Sequence, residues 1–157
     1  MPDSKILIEA EEELNFGDSR KALKLLKPLI DRGDPAALFL YAHFSASNLE
    51  SDREFDARRI GILQRLNDVG YPPGVYELGI CYEIGDLVKR DPILASALYK
   101  KAAELGYPKA KLSHGLDLYY GSNGIEKNEA LGLAFIKQAA DESVEGADAR
   151  WSELKGV

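Results

Sequence analysis

A single cysteine (Cys81), a single tryptophan, a single methionine and only two histidines occur in the 157 residues. One cysteine closes no internal disulfide and no Asn-x-Ser/Thr acceptor is present, which fits a reducing compartment. His43 and His114 stand far apart with no Cys-x-x-Cys or His-x-x-x-His pair nearby, so no zinc pattern is written in the sequence and neither metal nor cofactor is expected. Long apolar runs are lacking as well, and no membrane span is expected. The N-terminus offers only Ile6, Leu7 and Ile8 before Glu9, Glu11, Glu12 and Glu13, neither a secretory leader nor a basic transit peptide, so the expected location is cytoplasmic. Basic residues are in deficit, 20 against 26 acidic ones for a net charge of −6, which disfavours nucleic acid as a partner. Gly121-Ser122-Asn123-Gly124 lacks the lysine and preceding strand of a phosphate loop, and no nucleophile stands with a base, so no catalytic residue is assigned.

What the chain does have is a period. Gly33-Asp34-Pro35, Gly70-Tyr71-Pro72 and Gly106-Tyr107-Pro108 share the form Gly-x-Pro at spacings of 37 and 36 residues. Glycine just past a helix end can take the left-handed conformation that caps it, and proline suits the first turn of the next helix, so each tripeptide predicts a helix-to-helix corner. Between corners, Leu78-Gly79-x-x-Tyr82-x-x-Gly85 returns 36 residues on as His114-Gly115-x-x-Leu118-x-x-Gly121. Ala102-Ala103 and Ala139-Ala140 follow, each three residues after a large side chain, Tyr99 or Ile136, and are expected to let two helices approach closely. Apolar residues three or four apart (Ala22, Leu25, Leu26, Leu29, Ile30; then Ile60, Leu63, Leu66) give helical periodicity, and strand-like alternation is absent.

The spacing predicts helices near 3–15, 19–32, 35–46, 54–69, 72–84, 92–105, 108–120, 127–142 and 145–155, with 48–52 and 121–124 as loops. Length and a 45% hydrophobic content fit one domain over 1–157, in units of about 1–33, 34–70, 71–106 and 107–142 with a capping helix over 143–157. Such units cannot bury their apolar stripes alone and must stack on their neighbours.

The string LGICYEIGDLVKRDPILASALYKKAAELG, from Leu78 to Gly106, resembles the Sel-one-like repeat, a relative of the tetratricopeptide repeat. The resemblance is carried by Leu78-Gly79, Tyr82, Gly85, Asp91, Ala95, Tyr99, Ala102-Ala103 and Gly106, and in the next unit by Gly115, Gly121, Phe135, Ala139 and Ala140. Departures are His114 for the leucine, Gly132 for Ala95, and Leu66-Asn67 for the two alanines. The resemblance implies an all-α, right-handed superhelix of antiparallel helix pairs, an α-solenoid of about nine helices. It also implies a non-enzymatic scaffold that holds a partner protein.

By similarity to the tetratricopeptide superfamily, the first helix of each pair lines a concave groove. On a helical wheel Leu78, Gly79 and Tyr82 face the second helix, leaving Tyr76, Ile80, Glu83 and Ile84 for the groove. The matching positions are Leu112, Leu116, Tyr119 and Tyr120 one unit later, and Phe39, His43, Ala46 and Ser47 one unit earlier. An apolar and aromatic set of this kind suits anchoring of a partner, or packing of neighbouring first helices on one another. A basic partner fits the acidic chain. An immunity protein that neutralises a cognate bacterial toxin is one form of the scaffold reading; a regulatory or assembly adaptor is the alternative, and an unrecognised hydrolase or transferase using surface carboxylates is the enzyme alternative. His114 is expected as a core histidine with both nitrogens satisfied, Cys81 as small-residue packing, and Glu9 to Glu13 as a solvated face or a steering patch.

Overall fold

A computed structural model describes residues 2–46, 48 and 50–156, and divides the chain into two compact units, Met1–Tyr71 and Pro72–Val157. Among the described residues there are nine α-helices and no strand: α1 (Pro2–Asn15), α2 (Ser19–Asp31), α3 (Pro35–Tyr41) and α4 (Asp52–Asp68) in the first unit, α5 (Pro72–Ile84), α6 (Pro92–Glu104), α7 (Pro108–Tyr120), α8 (Glu129–Asp141) and α9 (Ala147–Lys155) in the second.

The three Gly-x-Pro corners form as expected. Gly33, Gly70 and Gly106 have φ of 77°, 71° and 89°, and Pro35, Pro72 and Pro108 each open the following helix. At each corner the residue after the glycine donates its N–H back to the preceding helix, Asp34 to Leu29, Tyr71 to Leu66 and Tyr107 to Ala102, which satisfies carbonyls left over at the helix end. A fourth corner of the same bonding joins α8 to α9, where Val144 N–H reaches the Ala139 carbonyl. Here Ser143, not glycine, takes the left-handed conformation, with φ of 60°.

The hairpin loops are set by side-chain caps. Asp91 accepts from Leu94 N–H at 3.0 Å and Asn128 from Leu131 N–H at 3.0 Å, fixing the starts of α6 and α8. Helix α4 starts at Asp52, ahead of the expected 54, because Ser51 and Glu54 form a reciprocal capping box.

Helix α3 is the clearest departure. It ends at Tyr41 and not at 46, so His43 and Ala46 lie beyond it, while Ser47 falls outside the described residues. Arg58 on α4 accounts for the early stop: its guanidinium donates to the Tyr41 carbonyl at 2.5 Å and the Phe44 carbonyl at 2.9 Å. It is held in turn by both oxygens of Glu50, at 2.8 and 3.0 Å, and lies over the Tyr41 ring at 3.9 Å. Carbonyls that a further helical turn would use are thus taken by a cation, and Ser45-Ala46-Ser47-Asn48 is a poor helix-forming run.

Each unit has its own core. In the first, Ala10, Ala22, Leu26, Leu29 and Ala37 are fully buried, with Ile6, Leu14, Leu25 and Phe44 packed around them. In the second, Val75, Leu78, Cys81, Ala95, Leu98, Tyr99, Ala102, Ala103, Ile136 and Ala139 are buried. Of the paired alanines Ala102, Ala103 and Ala139 are buried and Ala140 is half-buried, and Cys81 is a buried thiol outside any disulfide.

Candidate protein-binding site

In the second unit two of the three α5 residues expected to face the second helix, Leu78 and Gly79, are buried, and the third, Tyr82, is half-buried. A Cβ built on Gly79 would lie 2.7 Å from the Tyr99 ring of α6, so this side is pressed against its hairpin partner. On the other side Ile80 is half-buried, while Glu83 and Ile84 are exposed. Tyr76 is not a free-standing anchor: its ring packs against Tyr99 and Tyr107 with centroids 5.3 Å away in both cases. On α7, Leu112, Leu116 and Tyr119 are half-buried and Tyr120 is 56% exposed, with the Tyr119 and Tyr120 rings edge to face at 5.0 Å. In the first unit Phe39 is half-buried between His43, at 4.7 Å, and Tyr71, at 5.8 Å, and exposed His43 meets the Phe39 carbonyl through Nδ1 at 2.7 Å.

Two of these residues, Glu83 and Leu116, share a recess of about 220 Å³ between α5, α6 and α7 with Arg90, Ser96, Tyr99, Ser113, Asp117 and Asn123. The Tyr99 hydroxyl donates to Glu83 Oε2 at 2.5 Å; burial, then this bond, hold the phenol protonated far above its ordinary range. Burial likewise raises the Asp117 pKa, and the nearby Glu83 charge adds to it, while hydrogen bonds from Ser96 and Asn123 pull the other way. Ser96 is 1% exposed, a hydroxyl set in the apolar side of α6. Arg90 brings a guanidinium to the same recess, anchored through its Nε to the Glu83 backbone carbonyl at 2.9 Å. The recess therefore holds two carboxylates against one guanidinium, ringed by hydroxyls and an amide, which leaves its lining with a net negative charge when both are ionised.

Asp117, Ser96 and Tyr99 were not singled out from the sequence as site residues. The signal for Asp117 was there: at the 36-residue shift it replaces Cys81, so a carboxylate stands where the preceding repeat buries a thiol.

A second recess, of about 610 Å³, opens between α6, α7, α8 and the 124–128 segment, and His114 forms part of its wall. The histidine is 3% exposed, as a core position should be, yet its Nδ1 has no hydrogen-bond partner among the described residues. That corrects the expectation of two satisfied nitrogens. Leu118, Leu131 and Phe135 share this wall, Phe135 edge-on to the imidazole at 5.1 Å, and such side chains have nothing to donate or accept.

The acidic N-terminal run is partly neutralised, with Lys21 on Glu13 at 2.5 Å and Lys5 within 3.7 Å of Glu9. Among the described residues no group of three or more His, Cys, Asp or Glu side chains is placed to share a metal ion, and no helix is long and apolar enough to cross a membrane.

Comparison with known proteins finds the same repeat elsewhere. The Sel1 repeat model matches residues 72–107 and 109–144. A Sel1 repeat protein from Oxalobacter formigenes superimposes with a TM-score of 0.71 and 28% identity, over 83% of this chain and 97% of that one. A protective antigen of uropathogenic Escherichia coli with an SLR fold superimposes with a TM-score of 0.64 and 26% identity, over 80% of this chain and 26% of that one. Among curated proteins, chitin synthase regulatory factor 3 of Schizosaccharomyces pombe is 29% identical over 105 residues, which are 67% of this chain and only 11% of that protein. Residues 72–107 and 109–144 of the second unit thus match two Sel1 repeats, and the fold is similar to that of Sel1 repeat proteins, helical scaffolds of the tetratricopeptide-like kind that generally hold partner proteins.

Proposed function

We propose that this chain is a protein-binding scaffold whose second unit captures a basic segment of its partner, with a lysine or arginine side chain seated between Glu83 and Asp117. The observation that carries this reading is the pairing of those two carboxylates in one recess, one of them raised in pKa by burial and by its neighbour. A cation placed there relieves the repulsion and recovers part of the desolvation cost. The net charge of −6 adds long-range attraction for a basic partner. Ile80, Ile84, Leu116 and Tyr120 supply apolar surface on the same two helices for flanking residues of the segment.

Two finer forms of the scaffold fit this chemistry. A regulatory adaptor is supported by the curated relative, whose name calls it a regulatory factor, although the likeness covers about a tenth of that protein. An immunity protein against a basic bacterial toxin is supported by the acidity of the chain. Pull-down from the source cell separates them: one tight basic partner favours immunity, several weaker clients favour the adaptor.

The recess itself is tested with amide-resolved NMR, titrating the chain with Ac-Ala-Gly-Arg-Gly-Ala-NH2 and with the same peptide carrying glutamine for arginine. Shifts should centre on Ser96, Asp117 and Asn123 for the arginine peptide alone and weaken with salt. Asp117→Asn should lower affinity about tenfold, the worth of one charge-assisted hydrogen bond. Shifts scattered over the surface, or equal binding of the glutamine peptide, refute the assignment.

A further inference from the structure

The His114 recess is separate in its residues from the one assigned to the partner's cation, and nothing in the scaffold reading uses it. We propose that it is a binding site for a neutral hydroxyl carried on an aromatic body, a phenol, presented either as a free small molecule or as the tyrosine side chain of a peptide. Its size, about 610 Å³, lies within the range of small-ligand sites.

Three observations select this chemistry. The first is the imidazole in the wall, 3% exposed, whose buried Nδ1 has no hydrogen-bond partner among the described residues. A polar atom buried without a partner costs free energy that a bound ligand can return, and a hydroxyl both donates and accepts, so it completes either tautomer of the ring.

The second is the charge around it. Burial, and then the Lys100 ammonium, lower the His114 pKa, with Glu104 opposing, so the ring meets its ligand uncharged. A carboxylate would lose its hydration against a neutral ring, and the two ammonium groups of the lining, Lys100 and Lys127, stand there with two carboxylates, Glu104 and Glu126. The ammonium of Lys127 is engaged by Glu129 at 2.7 Å. A neutral hydroxyl carries neither penalty.

The third is the apolar wall. Leu118, Leu131 and Phe135 line the recess, Leu131 is 44% exposed, and Phe135 stands edge-on to the imidazole. An aromatic body can extend that edge-to-face pairing while its hydroxyl meets the nitrogen.

The test is titration of the intact chain, followed by NMR at the backbone amides and the His114 imidazole nitrogens, with p-cresol, toluene, 4-methylbenzoate, N-acetyltyrosinamide and N-acetylphenylalaninamide. p-Cresol is expected to shift Leu118, Leu131 and Phe135 together with the His114 ring nitrogens, and to bind about tenfold tighter than toluene. His114→Leu, which installs the residue of the sister repeat, should fold at least as stably as the parent and lose that tenfold preference. Binding of N-acetyltyrosinamide over the phenylalanine analogue at the same residues assigns the peptide source, and binding of p-cresol without it assigns the free small molecule. Equal binding of p-cresol and toluene, a preference for 4-methylbenzoate, absence of binding by every probe, or a hydroxyl preference that survives His114→Leu overturns the proposal.

Discussion

Replacing Gly132 by alanine should drive α7 and α8 apart, and the same substitution at Gly61 should strengthen its helix. A Cβ on Gly132 would stand 2.7 Å from the Gly115 carbonyl oxygen, 2.7 Å from the Tyr119 nitrogen and 3.0 Å from Tyr119 Cα. All three atoms are backbone, so no side chain can swing away, and relief requires the two helices to part by more than half an ångström. Overpacking of this kind costs typically about 1–3 kcal/mol, and a backbone-on-backbone clash belongs near the top of that range. Alanine's better helix propensity returns about 1 kcal/mol, leaving a net loss of about 2 kcal/mol. Gly61 lies within α4, is exposed, and an added Cβ meets nothing within 4 Å, so only the propensity gain of about 0.5–1 kcal/mol remains. Urea unfolding checks both. Fluorescence of Trp151, the only tryptophan and a residue of α9, reports on the second unit, and far-ultraviolet circular dichroism reports on all helices. Gly115→Ala should cost nearly as much as Gly132→Ala, since its Cβ meets the Gly132 carbonyl oxygen at 2.9 Å and the Ile136 nitrogen at 3.1 Å, backbone again, besides Ile136 Cγ1 at 2.8 Å. Unchanged stability of Gly132→Ala, or a loss at Gly61→Ala, would refute the reasoning from close approach.

Arg58→Met should cost about 3 kcal/mol in urea unfolding of the first unit, since it strands the Tyr41 and Phe44 carbonyls and a Glu50 carboxylate that is 17% exposed. The Glu50 pKa is lowered to about 2, chiefly by hydrogen bonding to Arg58 and then Ser45, from 4.5. Its contribution to stability is therefore fully present above pH 4.5 and fades as pH falls towards 2; the advantage of the parent chain over Glu50→Gln in thermal unfolding should shrink across that window. Ser143→Gly should raise the stability of the second unit by about 1 kcal/mol in urea unfolding, because Ser143 holds a left-handed backbone that costs a side-chain-bearing residue about that much.

The corners were legible because their cause is local: a glycine for the left-handed cap and a proline for the next first turn need only each other. The fourth corner carries the same hydrogen bonds but no glycine, so Ser143 gave no sign of it. The end of α3 was illegible for the opposite reason. The group that takes its carbonyls, Arg58, arrives from a helix more than a dozen residues later, and no window over 35–46 contains it. The Ser51–Glu54 capping box was in plain view in the sequence, but its Ser51 lay inside the run 48–52 that read as a polar loop, while Glu54 opened the expected helix. At the candidate site the wheel correctly turned Gly79 towards α6, whereas Tyr76 is packed between two other tyrosine rings, an arrangement that depends on the Gly106 corner bringing Tyr107 back onto the hairpin.

The two hairpins of the second unit obey one pattern and diverge where single residues break it. In α5–α6 the Tyr99 ring fills the space over Gly79, and its hydroxyl reaches Glu83. In α7–α8 Ile136 replaces Tyr99 and Gly132 replaces Ala95, so there Gly115 and Gly132 bring backbone against backbone. The same repeat exchanges a leucine for His114 and Cys81 for Asp117, placing a buried imidazole and a half-buried carboxylate where an apolar side chain would pack at no electrostatic cost. A stack of hairpins needs none of these polar substitutions to stand. Both recesses of the second unit described above are lined by one of them, Asp117 in the smaller and His114 in the larger, so the two sites proposed here stand at departures from the repeat and not at its consensus positions.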